Sequence, residues 1–162
     1  MIRPTLVAAL AVSFSTSALP AAAGSELAGH SHEMEDFSAG EAGNPNELSR
    51  TIEVTMEERD GKMIYVPDLI TIRKGETIRF VIHNHGELDH EFVLATTEEN
   101  LKHAEAMALN PDMEHDDPNA TRVPAQQTSE IIWKFSKPGQ FEFACLIPGH
   151  RDAGMFGTVD VK

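Results

Sequence analysis

The sequence predicts an all-β Greek-key sandwich with one short helical insertion. Three observations predict it. About seven or eight short runs after residue 50 are rich in β-forming residues, several with two-residue alternation. Turns carrying Gly, Pro and Asp separate them. One segment alone, "TTEENLKHAEAMALNP", breaks the period with helix formers. No internal repeat is present.

Residues 1–23 have the layout of a secretory signal: Arg3, an apolar stretch from Leu6 to Phe14, then small residues at Ala21 and Ala23. The apolar stretch is shorter than the roughly 20 residues of a membrane span, and no later segment approaches that length. Export to the periplasm or beyond is the expectation. Residues 24–50, rich in Gly, Ser, Glu, Asn and His, read as a flexible leader carrying His30, His32 and Met34. The folded domain is expected over residues 51–162.

Within that domain "TIEVTM" puts Ile52, Val54 and Met56 on one face. "KMIYVPDLITIRKGETIRFVI" holds three short runs around Pro67 and the turn at Gly75. In the last of them Ile78, Phe80 and Ile82 share a face. "HEFVLAT" places Phe92 and Leu94 together. The helical segment opens on a capping box, Thr96 with Glu99, and Pro111 is its stop. "DMEHDDPNATRVPAQQ" reads as an acidic loop. Strands return in "SEIIWKF", "GQFEFAC" and "GTVDV", with Trp133 in the core.

A formal net charge of −13 argues against nucleic-acid binding, which needs a basic footprint. It suits a partner with a basic docking face and raises the local concentration of metal cations. The chain has a single cysteine, Cys145, so it forms no internal disulfide. That thiol is then an intermolecular link, a reactive group, a metal ligand or a buried bystander.

His150 follows Cys145 by five positions, and Met155 follows His150 by five more. A thiolate, two imidazoles and a weak axial thioether make the ligand set of a blue-copper site. The second imidazole is best supplied by His90, which opens a strand after a polar turn. His83 and His85 compete, but both fall in that polar stretch and read as surface residues. An activated Cys–His nucleophile is the rival reading, though no oxyanion arrangement accompanies it.

"NHGELDHEFVL" and "GQFEFACLIPGHRDAGMFGTVDV" resemble the two copper-binding segments of the cupredoxins, the plastocyanin and azurin group. The resemblance covers about residues 51–162. It implies a cupredoxin sandwich with one mononuclear copper held by His90, Cys145, His150 and Met155. The ligand spacing is longer than in plastocyanin and is similar to that of rusticyanin and auracyanin. With its leader and helix, the chain most resembles a bacterial periplasmic subfamily linked to copper tolerance. One departure stands out: where plastocyanin-like proteins usually carry Asn after the first ligand histidine, this chain has Glu91.

Two roles use the same site: copper handling under metal stress, and a one-electron shuttle to a redox partner. His30, His32, Met34, His103, Met107, Met113 and His115 are candidate auxiliary copper ligands and favour handling; core packing and solvation are their bland alternative. The partner is then a redox protein or a copper-delivery protein. No enzymatic role is expected. A copper nitrite reductase needs a second domain, and a dinuclear oxidase-type centre needs two cysteines. A metal-free structural sandwich is the remaining alternative.

Overall fold

The structure, a computed structural model, describes residues 37–110 and 117–162. The signal reading and the candidate ligands His30, His32, Met34, Met113 and His115 lie outside the described residues.

The described chain forms β1 (Glu41–Ala42), β2 (Arg50–Arg59), β3 (Lys62–Val66), β4 (Leu69–Ile72), β5 (Thr77–Asn84) and β6 (His90–Ala95). Helix α1 (Thr97–Leu109) follows, then β7 (Ala120–Val123), β8 (Thr128–Lys134), β9 (Gly139–Ala144) and β10 (Phe156–Val161). Two five-stranded sheets result, ordered β1-β8-β5-β2-β3 and β4-β10-β9-β6-β7. Most pairs are antiparallel, but β2–β5 and β4–β10 run parallel.

The alternating residues meet between the sheets as their period requires. Val54, Met56, Ile78, Phe80 and Ile82 face Phe92, Leu94, Phe141, Phe143, Val159 and Val161, and Trp133 is fully buried. Phe92 stacks on Phe143 at 5.1 Å, and Tyr65 meets both rings edge-on. Burying each such side chain contributes about 1.5–3 kcal/mol.

Strand β6 is buried along all six residues, which alternation alone does not predict. Phe92 and Leu94 face the inter-sheet core, and on the opposite face helix α1 covers Val93. Met107 of the helix packs with Val93, Ala144 and Leu146 on the far face of the second sheet. Both halves of the Thr96–Glu99 capping box form, and Ser38 also donates to Glu99.

Two of the ten described strands fall where the sequence signalled none. β7 lies in the stretch read as an acidic loop; only four residues long, it takes its order from pairing with β6. β1 lies in the stretch read as a leader, where Glu41 and Ala42 pair with Lys134 and Trp133. Phe37 meets Trp133 edge-on at 5.4 Å, and Ala39 is fully buried. Gly40 makes this approach feasible: at φ +144°, a Cβ there would stand 2.0 Å from the Lys134 carbonyl oxygen. Residues 37–43 thus lie against the sandwich, over a stretch too short and polar to show strand periodicity.

Candidate metal centre

His90 is the first residue of β6, and its side chain is completely buried. The connection before it is pinned by Asn84. That amide donates to the carbonyls of Leu88 (2.7 Å) and Val123 (2.9 Å) and accepts from the Gly86 N–H (2.9 Å). An Asx turn of this kind fixes backbone that would otherwise wander. Glu58, from the end of β2, reaches across the sandwich. It accepts from His90 Nε2 at 2.7 Å and from the amides of Glu87 (2.8 Å) and Leu88 (3.3 Å). Burial pushes the Glu58 carboxyl up, but those amides and His90 outweigh it and hold it below its ordinary value.

Cys145 follows directly after β9 and begins the loop to β10. Its N–H donates to the Met155 carbonyl at 3.1 Å, while the Met155 N–H donates to the His150 carbonyl at 3.1 Å. The loop thus folds back on itself and carries three sequence-predicted ligands. Arg151 anchors it from below, donating through Nε (3.2 Å) and Nη2 (2.9 Å) to the buried carboxylate of Glu142. Asn100 of α1 donates to the same carboxylate at 3.2 Å.

Three donor atoms converge at this end. His90 Nδ1 and His150 Nδ1 are 3.1 Å apart, and Cys145 Sγ is 4.0 Å from the first and 3.4 Å from the second. Three ligands about 2.0–2.3 Å from a shared trigonal centre stand roughly 3.5–3.7 Å apart, so these edges bracket the spacing a metal demands. The donor set itself, one thiol and two imidazoles, suits copper.

Burial drives the Cys145 thiol up to about 12, against the pull of the Glu91 and Ile147 amides. The Glu91 N–H reaches Sγ at 3.3 Å. His150 is only partly buried; burial and its neighbour His90 lower its pKa, which favours the neutral imidazole a metal requires.

A family model described as copper binding proteins, plastocyanin/azurin family, matches residues 52–162. The chain belongs to this family. It is also 46% identical to the copper-resistant cuproprotein CopI of Rubrivivax gelatinosus, across 100% of this chain and 98% of that protein. It is 34% identical to the copper-resistant cuproprotein CopI of Pseudomonas aeruginosa, across 72% and 78% of the two chains. The dithionite-reduced auracyanin of Roseiflexus castenholzii superimposes with a TM-score of 0.59 at 24% identity, covering 71% of this chain and 98% of that one. That likeness speaks to the cupredoxin fold.

Within this cupredoxin, the structure brings His90, Cys145 and His150 together, with ligating atoms all within 4.8 Å. Met155 is fully buried in the main core cluster beside Cys145 and tied to the loop by its backbone. His83 and His85 lie elsewhere. His83 pairs with Glu53 (2.6 Å) and Thr128 (3.0 Å) on the outer face of its sheet, and His85 is exposed. Of the auxiliary pair on α1, His103 is partly buried, whereas Met107 fills an apolar cluster and has a packing role. An auxiliary site on this helix would therefore lose its thioether to the core.

Sequence reasoning missed Glu58, Asn84 and the Arg151–Glu142 clamp. Asn84 had a local signal, since Asn two residues before Gly in a polar turn marks an Asx turn. Glu58 and Glu142 had none, because their partners lie across the fold. At Glu91 it is the backbone N–H that donates to the sulfur.

Proposed function

We propose that this chain is a periplasmic type 1 copper protein that holds one copper through His90, Cys145, His150 and Met155 and serves copper tolerance. The observation that carries the reading is the convergence of two imidazole nitrogens and one buried thiol at the end of the sandwich. Copper in such a ligand set exchanges single electrons with little rearrangement.

The protein's own residues divide the work. Cys145 supplies the soft donor from a fully buried position that excludes water. His90 is immobilised by packing and by Glu58. His150 is the more accessible of the two imidazoles and is the side through which a partner would approach the site. Met155, buried in the same loop, would add a thioether to the set. The net charge of −13 supports a partner with a basic docking face. The tolerance role draws on relatives named copper-resistant cuproproteins. Residues 1–23 are proposed as the export signal. Among the described residues no helix is long and apolar enough to cross a membrane. No catalytic residue is assigned.

A Cu(II) titration of the exported protein tests this. An intense thiolate-to-copper band is expected to saturate at one equivalent and to vanish in Cys145→Ser. Further binding without more of that band supports copper handling; strict one-to-one stoichiometry supports a dedicated electron shuttle. A Cys145→Ser variant that binds copper unchanged would remove the central assignment.

A further inference from the structure

We propose that Glu58 is a positioning residue that sets the tautomer of His90 and biases the site toward Cu(II). This rests on the copper reading above and concerns a residue outside its ligand set.

The geometry is specific. The Glu58 carboxylate is held by two backbone amides, Glu87 N–H at 2.8 Å and Leu88 N–H at 3.3 Å, so its position is fixed independently of the imidazole. One oxygen then meets His90 Nε2 at 2.7 Å. An ionised carboxylate only accepts, so Nε2 carries the proton and Nδ1 presents its lone pair. Nδ1 is the atom that faces Cys145 and His150. The ring is fully buried while Glu58 is 27% exposed, so the contact lies where screening by water is reduced.

A carboxylate bonded to the far nitrogen of a ligand imidazole raises the ligand's basicity and fixes its orientation. Greater basicity favours the more highly charged metal state. The carboxylate therefore strengthens Cu(II) binding more than Cu(I) binding. Gly86 is part of the arrangement: a Cβ there would stand 2.3 Å from Glu58 Oε1, so the missing side chain leaves room for the carboxylate.

Three variants of the full chain separate this from a merely structural cap. Glu58→Gln removes the charge. Gly86→Ala keeps the charge but displaces the carboxylate. Glu57→Gln, on the adjacent residue paired with Arg59, removes a nearby charge that touches no ligand. Cu(II) and Cu(I) affinities are measured by chelator competition, and the His90 tautomer by nitrogen NMR on metal-free protein. Metal-free wild type is expected to show the Nε2–H form. Glu58→Gln is expected to lower Cu(II) affinity about tenfold relative to Cu(I), a rise of about 59 mV for a one-electron couple. Gly86→Ala moves the same way, and Glu57→Gln stays within about twofold of wild type. Equal effects from Glu57→Gln and Glu58→Gln overturn the proposal, as does an Nδ1–H tautomer in wild type. So does lost stability with an unchanged Cu(II)/Cu(I) ratio. Absence of the thiolate band in wild type would instead sink the copper reading, while the metal-free NMR still reports on the Glu58–His90 bond.

Discussion

Arg151 is the residue whose loss tests how the ligand loop is held. Its guanidinium makes two hydrogen bonds to Glu142, whose side chain is only 7% exposed, and it lies 5.1 Å over the Phe156 ring. Arg151→Met keeps much of the apolar stem but strands the buried carboxylate with Asn100 as its remaining charge-assisted partner. Breaking one side of a buried pair costs about 3–5 kcal/mol. The cation–π contact adds about 0.5–1 kcal/mol. Arg151 keeps 20% side-chain exposure, so water softens the loss, and about 3 kcal/mol is the working figure. With an m-value of about 2 kcal/mol/M, the urea midpoint of metal-free protein falls by about 1.5 M. The loop next to His150 loosens as well, so copper is expected to pass faster to a competing chelator. Pairing Arg151→Met with Glu142→Leu should recover most of the stability, because an apolar pair replaces the ionic one. A midpoint shift below about 0.3 M, or a double variant no better than the single, would refute the clamp.

Two further outcomes are expected. Phe143→Ala removes a ring stacked on Phe92 and touched edge-on by Tyr65, and should cost about 3–5 kcal/mol in chemical denaturation. At Glu76, the Arg73 amide holds the carboxyl below its ordinary value of 4.5, against partial burial and with help from Arg50. A depressed folded-state pKa contributes stability above the unfolded value that is lost as pH falls through the folded one. Glu76→Gln should therefore flatten the decline in stability below about pH 4.5; an unchanged slope there would contradict the assignment.

The sandwich was legible because its strands announce themselves locally. Ile78, Phe80 and Ile82 alternate, and all three are buried. Thr96 and Glu99 announced the helix start in the same way. Cys145, His150 and Met155 share one loop, so their spacing alone suggested the ligand set. His90 required more, because nothing local ties it to a residue 55 positions away. The supporting shell was illegible for the same reason. Glu58 looks like any glutamate near a strand end until the two sheets face each other. β1 and β7 escaped notice because two and four residues carry too little pattern.

The separation of the donors has a kinetic consequence. His90 lies 55 residues from Cys145 and 60 from His150, and β2 pairs in parallel with β5. Long loops must close before these atoms meet, which slows folding and leaves the assembled donor set among the last features to form. Interactions absent from the folding transition state slow unfolding without speeding folding. Copper is thus expected to leave the refolding rate of the chain nearly unchanged while lengthening the lifetime of the native protein, with protection from proteolysis following that lifetime when cleavage outpaces reclosing.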